Sequence, residues 1–291
     1  MLPLDEPATQ IMARRYSCRL YAGAPMRSDQ VARLAEFAAS VERGPLGTPV
    51  RLDLAAAGPG DRDALRGLGA YGLIRHHAGF LMGAVGPGPA NMEDFGYAME
   101  AFVLLATGLG LGTCWLGGNF TRRNFGRRMG LADGEMVPAV AAVGVPPDGK
   151  PRDVLHWMAR SDTRRPWPEL FFRSRFGEPL AEADAGPYAV PLEMVRLAPS
   201  SNNRQPWRVV ANGERHHFFL ERTALFGPGT LASRLLPLAD LQRVDMGIAM
   251  CHFEMAAREM GLDGRWVVDD PGIPTAGGRT EYVVTWVGKR P

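Results

Sequence analysis

Three short stretches of this sequence gather side chains that could do chemistry. Ala198-Pro199-Ser200-Ser201-Asn202-Asn203-Arg204-Gln205-Pro206-Trp207 sets serine hydroxyls and side-chain amides between two prolines that fix the backbone. Such groups donate or accept hydrogen bonds in a plane and suit the edge of a heteroaromatic ring. The same residue types also make a loop stabilised by its own Asx and Ser turns. Arg14-Arg15-Tyr16-Ser17-Cys18-Arg19 offers three arginines and a serine within six residues, enough to wrap a phosphate through bidentate guanidinium contacts and a hydroxyl. Alone it reads equally as a solvated basic patch. Gly112-Thr113-Cys114-Trp115-Leu116-Gly117-Gly118 permits close backbone approach to a flat ligand, or simply closes a helix with a turn.

The elements that must carry these stretches follow from periodicity. Helices are expected over Ser28–Val41, Asp61–Leu68, Asp94–Leu111, Thr121–Met129, Pro191–Leu197 and Asp240–Met260, with another near Pro168–Phe176. Strands are expected over Val50–Ala55, Gly79–Val85, Met136–Val145, Trp207–Ala211, His217–Glu221 and Tyr282–Val287. Asn212-Gly213 is a hairpin signal between two of them. The loop of prolines and amides therefore lies between a helix and a strand, and the glycine-rich stretch follows the most apolar helix.

That helix recurs. Without gaps, Asp94, Gly96, Ala98, Met99, Phe102, Ala106, Gly110, Leu111 and Trp115 match Asp245, Gly247, Ala249, Met250, Phe253, Ala257, Gly261, Leu262 and Trp266, nine identities in twenty-two positions. A shared amphipathic pattern explains the apolar matches. It does not explain why helix start, Gly-Leu end and following Trp coincide. The preceding helices also correspond, Leu34–Ala38 facing Met194–Ala198, and Val143-Gly144 in a closing strand corresponds to Val287-Gly288. The chain reads as two copies of one helix–strand–helix–strand unit, packed through the long helices about a pseudo-twofold axis.

In this order and on these elements, the three stretches resemble the nitroreductase family of flavoproteins. That family shows an RxSxR stretch near its N-terminus, an APSxxNxQPW segment after its first long helix, and a GLGTxW turn after its central helix. The first half has Arg15, Ser17 and Arg19 and the run Gly110-Leu111-Gly112-Thr113-Cys114-Trp115, but Ala38-Ala39-Ser40-Val41-Glu42-Arg43 stands where APSxxN would be. The second half has the full APSxxNxQPW segment, no RxSxR, and Gly261-Leu262-Asp263-Gly264-Arg265-Trp266 at its turn. Family members are normally homodimers whose two flavin sites lie at the interface. The complementary losses resemble a fused dimer with one composite site.

The resemblance implies an α+β, nitroreductase-like fold. Two repeated α/β halves, 1–178 and 179–291, would pack through long central helices as an intramolecular pseudo-dimer. One FMN would bind, with Arg15, Ser17 and Arg19 on the ribityl phosphate and pyrimidine edge and Tyr16 beside them. Leu116, Gly117 and Gly118 would present backbone groups near the ring's reactive nitrogen. Pro199, Ser200, Ser201 and Asn203 would line the flavin from the other half. Arg164, with Arg165 as its rival, would supply the basic residue that follows the unit's last strand, and Tyr71 and Gly72 further ring contacts. The implied activity is passage of hydride from NAD(P)H through the flavin to a small electron-poor acceptor of nitroaromatic or quinone type, with no side-chain acid or base required. Alternatives are an FMN store or sensor without turnover, other family chemistry such as dehalogenation or heterocycle oxidation, or a pseudoenzyme kept for partner binding.

Composition narrows the partners. The formal charge is +2 in 291 residues, without the basic excess of a nucleic-acid or membrane-surface binder. The expected partner is a small-molecule substrate, and the expected state a monomer with its own pseudo-twofold. Ala98–Gly118 is apolar enough to raise a membrane span, but Glu100 and five glycines favour a buried helix running into a turn. Three cysteines without metal-like spacing and no signal-peptide pattern point to a reducing compartment, the cytoplasm. His76-His77 and His216-His217 are adjacent pairs that would not face one metal, and His156 and His252 stand alone. The run Thr121–Arg128 reads as a solvated basic face or as an attractor for the phosphates of a nicotinamide donor.

Overall fold

The computed structural model describes residues 4–58, 65–69, 74–118, 120–149, 163–223, 239–275 and 277–289. Two sheets flank a central pair of helices, and each sheet is wound in the same order. In the first half α1 (Ala8–Arg14) and α2 (Ser28–Ser40) precede β1 (Val50–Ala56) and β2 (Gly79–Val85). Then come α3 (Asn91–Gly108), β3 (Gly112–Leu116), α4 (Arg122–Met129) and β4 (Val140–Gly144). The sheet order is β1-β2-β4-β3, antiparallel throughout. After α5 (Trp167–Leu170) and β5 (Phe171–Arg173), the second half repeats the order: α6 (Ala189–Leu197), β6 (Trp207–Asn212), β7 (Arg215–Glu221), α7 (Leu241–Glu259), β8 (Gly264–Val267), β9 (Thr280–Gly288). Its sheet runs β5-β6-β7-β9-β8, so β6-β7-β9-β8 reproduces the first sheet's order. The fold is α+β, as expected.

The sequence accounts for most of this locally. Gly79–Val85 is apolar at nearly every position, and all seven residues are buried, as a strand covered on both faces requires. Helix α3 is apolar almost all round and starts on Glu93 and Asp94, whose charges suit the positive end of the helix dipole. Helices α3 and α7 make the most extensive contact between any two described elements. Gly96 and Gly247, aligned in the repeat, let their backbones meet: a Cβ on Gly247 would collide with the Glu93 carbonyl, and one on Gly96 with that of Val244. No helix among the described residues is long and apolar enough to cross a membrane.

Several elements differ from their periodicity. Gly112–Leu116 is an edge strand rather than a turn, because its amides pair with β4, Gly112 opposite Gly144. Gly264–Val267 is likewise a strand. Met136–Val145 shortens to Val140–Gly144, since Pro138 has no amide to donate and leaves Met136 only an isolated bridge to Val85. Near Pro168–Phe176 one helical turn gives way to β5, which joins β6 in parallel with Phe171 opposite Val209. Helix α1 had no sequence signal. Of the expected helix 61–68, residues 61–64 lie outside the described residues.

Candidate functional site

Residues 15–20 run alongside the edge strand β3. Ser17 bridges Thr113 in parallel, Cys18 N donates to Thr113 O at 2.8 Å, and Arg75 N donates to Arg19 O at 2.9 Å. Extended chain alternates its side chains. Tyr16 and Cys18 pack with Cys114 and Phe80 in one apolar cluster. Arg15, Ser17 and Arg19 therefore occupy the opposite face, which Thr113 and Trp115 share. Arg14 is committed elsewhere, paired with Glu6 and donating to Thr107 O at 3.2 Å. Arg15 turns inward. Its Nη1 is buried with no hydrogen-bond partner among the described residues, and burial pulls its guanidinium below the usual arginine value. The Thr113 hydroxyl is buried and unpartnered in the same way. The Glu100 carboxylate offsets part of the Arg15 desolvation, and a buried guanidinium nitrogen left without a hydrogen bond is costly.

Behind it lies a polar bridge between the halves. Trp115 Nε1 donates to Glu100 Oε2 at 2.7 Å, and Glu100 Oε1 lies 2.9 Å from His252 Nε2. His252 Nδ1 is 3.0 Å from Met194 O. A carbonyl only accepts, so Nδ1 is the donor to Met194 O. His252, which has no histidine neighbour in the sequence, thus ties α3, α6 and α7 together.

Strand β3 ends in the turn Leu116-Gly117-Gly118. A Cβ on Gly117 would lie 2.5 Å from Leu241 Cδ1, whereas one on Gly118 would meet nothing within 4 Å. Arg122, at the start of α4, folds back under the turn. It donates to Gly117 O at 3.1 Å, Val137 O at 3.2 Å and Pro138 O at 3.2 Å. The reading of 121–128 as a solvated face fails for this residue, because its guanidinium finds those three carbonyls and the Phe120 ring 4.8 Å away.

The loop 198–206 comes from the other half. Asn202, Asn203 and Gln205 have φ of 49°, 54° and 51°, strained for residues other than glycine. Local bonds hold them there. Gln205 N donates to Ser200 Oγ at 2.8 Å, Asn203 N to Ser200 O at 2.9 Å, and Gln205 Nε2 to Asn203 Oδ1 at 3.2 Å. Arg164 donates to Leu197 O from Nε and Nη2, at 3.3 and 3.1 Å, and reaches Asn203 Oδ1 at 3.4 Å. Asn203 Nδ2 donates to Thr163 O at 3.0 Å. Arg165 turns outward to Glu169, 3.1 Å away. Ser201 N donates to Asp245 Oδ1 at 2.9 Å. Burial holds the Asp245 carboxyl well above the usual carboxylate range, and its Oδ2 has no partner among the described residues.

The two halves meet here. Gly117 abuts Leu241 and Ser201 is held by Asp245, and these are i and i+4 on α7, about 6 Å apart on one helix face. The turn 116–118 and the loop 199–203 therefore converge over the first turns of α7, while Arg15, Ser17 and Arg19 line the strand that leads to the turn. Tyr71 lies outside the described residues. Sequence reasoning had named Asp245 only in the repeat, Gln205 only within the loop motif, Arg122 only within the basic run 121–128 and His252 only as a lone histidine, and gave none of them, nor Glu100, a place at this site. For Asp245 a signal was present. Its repeat counterpart Asp94 receives Leu46 N and Thr48 N, each at 2.7 Å, from the loop after α2, so the matching aspartates anchor matching loops.

A family model and one solved structure that spans nearly the whole chain agree with the fold. The family model described as "Putative TM nitroreductase" matches residues 8–257. A structure described as a putative nitroreductase from Thermotoga maritima MSB8 is similar over 97% of this chain and 94% of that one, with a TM-score of 0.59 and 18% identity. A nitroreductase with bound FMN from Bacteroides fragilis covers 51% of this chain and 92% of its own, at a TM-score of 0.38 and 18% identity. An FMN-dependent nitroreductase from Clostridium difficile R20291 covers 50% and 91%, at 0.38 and 15%. No curated protein matches the chain.

Proposed function

Because the chain belongs to this nitroreductase family, we propose that it is an FMN-dependent oxidoreductase that passes hydride from NAD(P)H to a small electron-poor acceptor, nitroaromatic or quinone in type. The buried, unpartnered Arg15 Nη1 carries this reading. FMN brings a phosphate that fits an arginine and hydroxyl strip, and a flat ring whose polar edge fits a loop of hydroxyls and amides. Arg15, Ser17 and Arg19 hold the phosphate end and the pyrimidine edge, while Tyr16, on the opposite face of the strip, backs them from the apolar cluster. Leu116, Gly117 and Gly118 offer backbone groups to the ring, and Pro199, Ser200, Ser201 and Asn203 cover it from the second half. Arg164 acts through Leu197 and Asn203, fixing the loop. When bound, FMN supplies the hydride chemistry. The arginines supply positive potential where negative charge develops, and no side-chain acid or base is needed.

The halves 1–178 and 179–291 act together as a fused pair with one composite site. A visible spectrum with flavin stoichiometry, followed by NAD(P)H oxidation with a quinone or nitroaromatic acceptor, tests both statements. A yellow protein with one FMN per chain and steady turnover is expected. A colourless protein that takes up no FMN overturns the reading, and a Ser200→Ala/Asn203→Ala variant with full FMN content overturns the site assignment.

A further inference from the structure

The arginine run on α4 divides in two. Arg123, Arg127 and Arg128 are exposed, whereas Arg122 is half-buried and directed at the turn. Among the described residues no carboxylate lies within ion-pair range of Arg122, and its partners are three backbone carbonyls. In a trans peptide the C=O and the following N–H point to opposite sides. Fixing the Gly117 carbonyl on Arg122 therefore fixes the Gly118 N–H away from it. Gly118 borders open space on the side where a Cβ would stand.

We infer that Arg122 is a positioning residue for the flavin, clamping the Gly117–Gly118 peptide so that the Gly118 N–H faces the ring, and standing behind that peptide as an unneutralised positive charge. The inference rests on the flavin reading above. A guanidinium suits the task because its planar fork holds several carbonyls in one geometry, which an ammonium does not. Its charge polarises the peptide it holds, strengthening the N–H as a donor, and favours added negative charge on the ring without reorganisation.

FMN labelled with nitrogen-15 at N5, loaded into the full chain, separates the two effects. Its N5 resonance reports the hydrogen bond, and the midpoint potential reports the charge. Arg122→Gln is expected to move N5 to the position of an unbonded nitrogen and to make the potential more negative. Arg122→Lys keeps the charge but not the fork, so the potential stays near that of the wild type while the N5 shift is partly lost. Arg123→Gln moves neither. An Arg122→Gln protein with wild-type N5 signal and potential overturns the inference, as does an Arg123→Gln variant with equal effects, which would mark a general field. If the glutamine variant does not fold, an Arg122→Lys protein with an unchanged N5 resonance overturns it. Failure of the wild-type chain to take up FMN sinks the flavin reading and this inference with it, whereas the variant outcomes bear on Arg122 alone.

Discussion

Arg15 and His216 hold opposite kinds of buried nitrogen, and each has a measurable consequence. Arg15 Nη1 is buried without a hydrogen-bond partner among the described residues, and such a nitrogen is costly in the empty protein and would be satisfied by a bound anion. Arg15→Met should therefore melt at or above the wild type when FMN-free. It should also bind FMN roughly ten- to hundredfold more weakly, the loss of one charge-assisted bond. Thermal melts with and without FMN check both halves of that expectation, since ligand stabilisation follows affinity. His216 lies beneath Tyr188, its ring 4.1 Å away, and burial pushes its pKa down to about 3 from the ordinary 6.5. The unfolded chain takes up this proton through pH 6.5, and the folded chain refuses it until about pH 3. Stability is thus fully present above pH 6.5 and falls below it, by about 1.4 kcal/mol per pH unit for one proton. Asp245 acts with the opposite sign, because a raised carboxyl pKa favours the folded state as pH falls. Urea unfolding between pH 7 and 4 should show a shallower decline in His216→Phe than in the wild type.

At the scale of elements, the loop 198–206 and the crossing of α3 with α7 do the positioning. The loop's left-handed residues persist because Ser200, Arg164 and Asp245 over-determine them. With its pKa raised, Asp245 resembles an amide, so Asp245→Asn should unfold within about 1 kcal/mol of the wild type. Asp245→Ala frees the half-buried Ser201 amide and should cost roughly 1–3 kcal/mol, with weaker FMN binding; equal urea midpoints for the two variants would contradict this assignment. At the crossing, Gly247→Ala should cost roughly 2–3 kcal/mol, although alanine is the better helix former, because its methyl meets the Glu93 carbonyl.

At the scale of the molecule, the repeated sheet order and the β5–β6 pairing make two half-chains into one body. The arginine strip and glycine turn come from the first part of the chain and the serine–asparagine loop from the second. Titration should give one FMN per chain, and two would break the fused-pair argument. The long contact of α3 with α7 predicts a single cooperative unfolding transition. A thermal melt read by far-UV circular dichroism and by tryptophan fluorescence should give coincident curves.

The sequence by itself determined what is local or repeated. Long apolar helices, buried strands and the order of the three motifs follow from side-chain period and turn chemistry, and the matched Asp, Gly and Trp positions pointed to a repeat with which the shared strand order of the two sheets is consistent. Edge strands 112–116 and 264–267 escaped because a short strand is defined by its partner's amides rather than by its own pattern. Only the tertiary structure turned Arg122 inward while its neighbours stayed in water, left Arg15 Nη1 without a hydrogen bond among the described residues, and set Asp245 beneath Ser201. A side chain's charge and length are written in the sequence, but which carbonyl or amide it meets depends on elements brought together from distant parts of the chain.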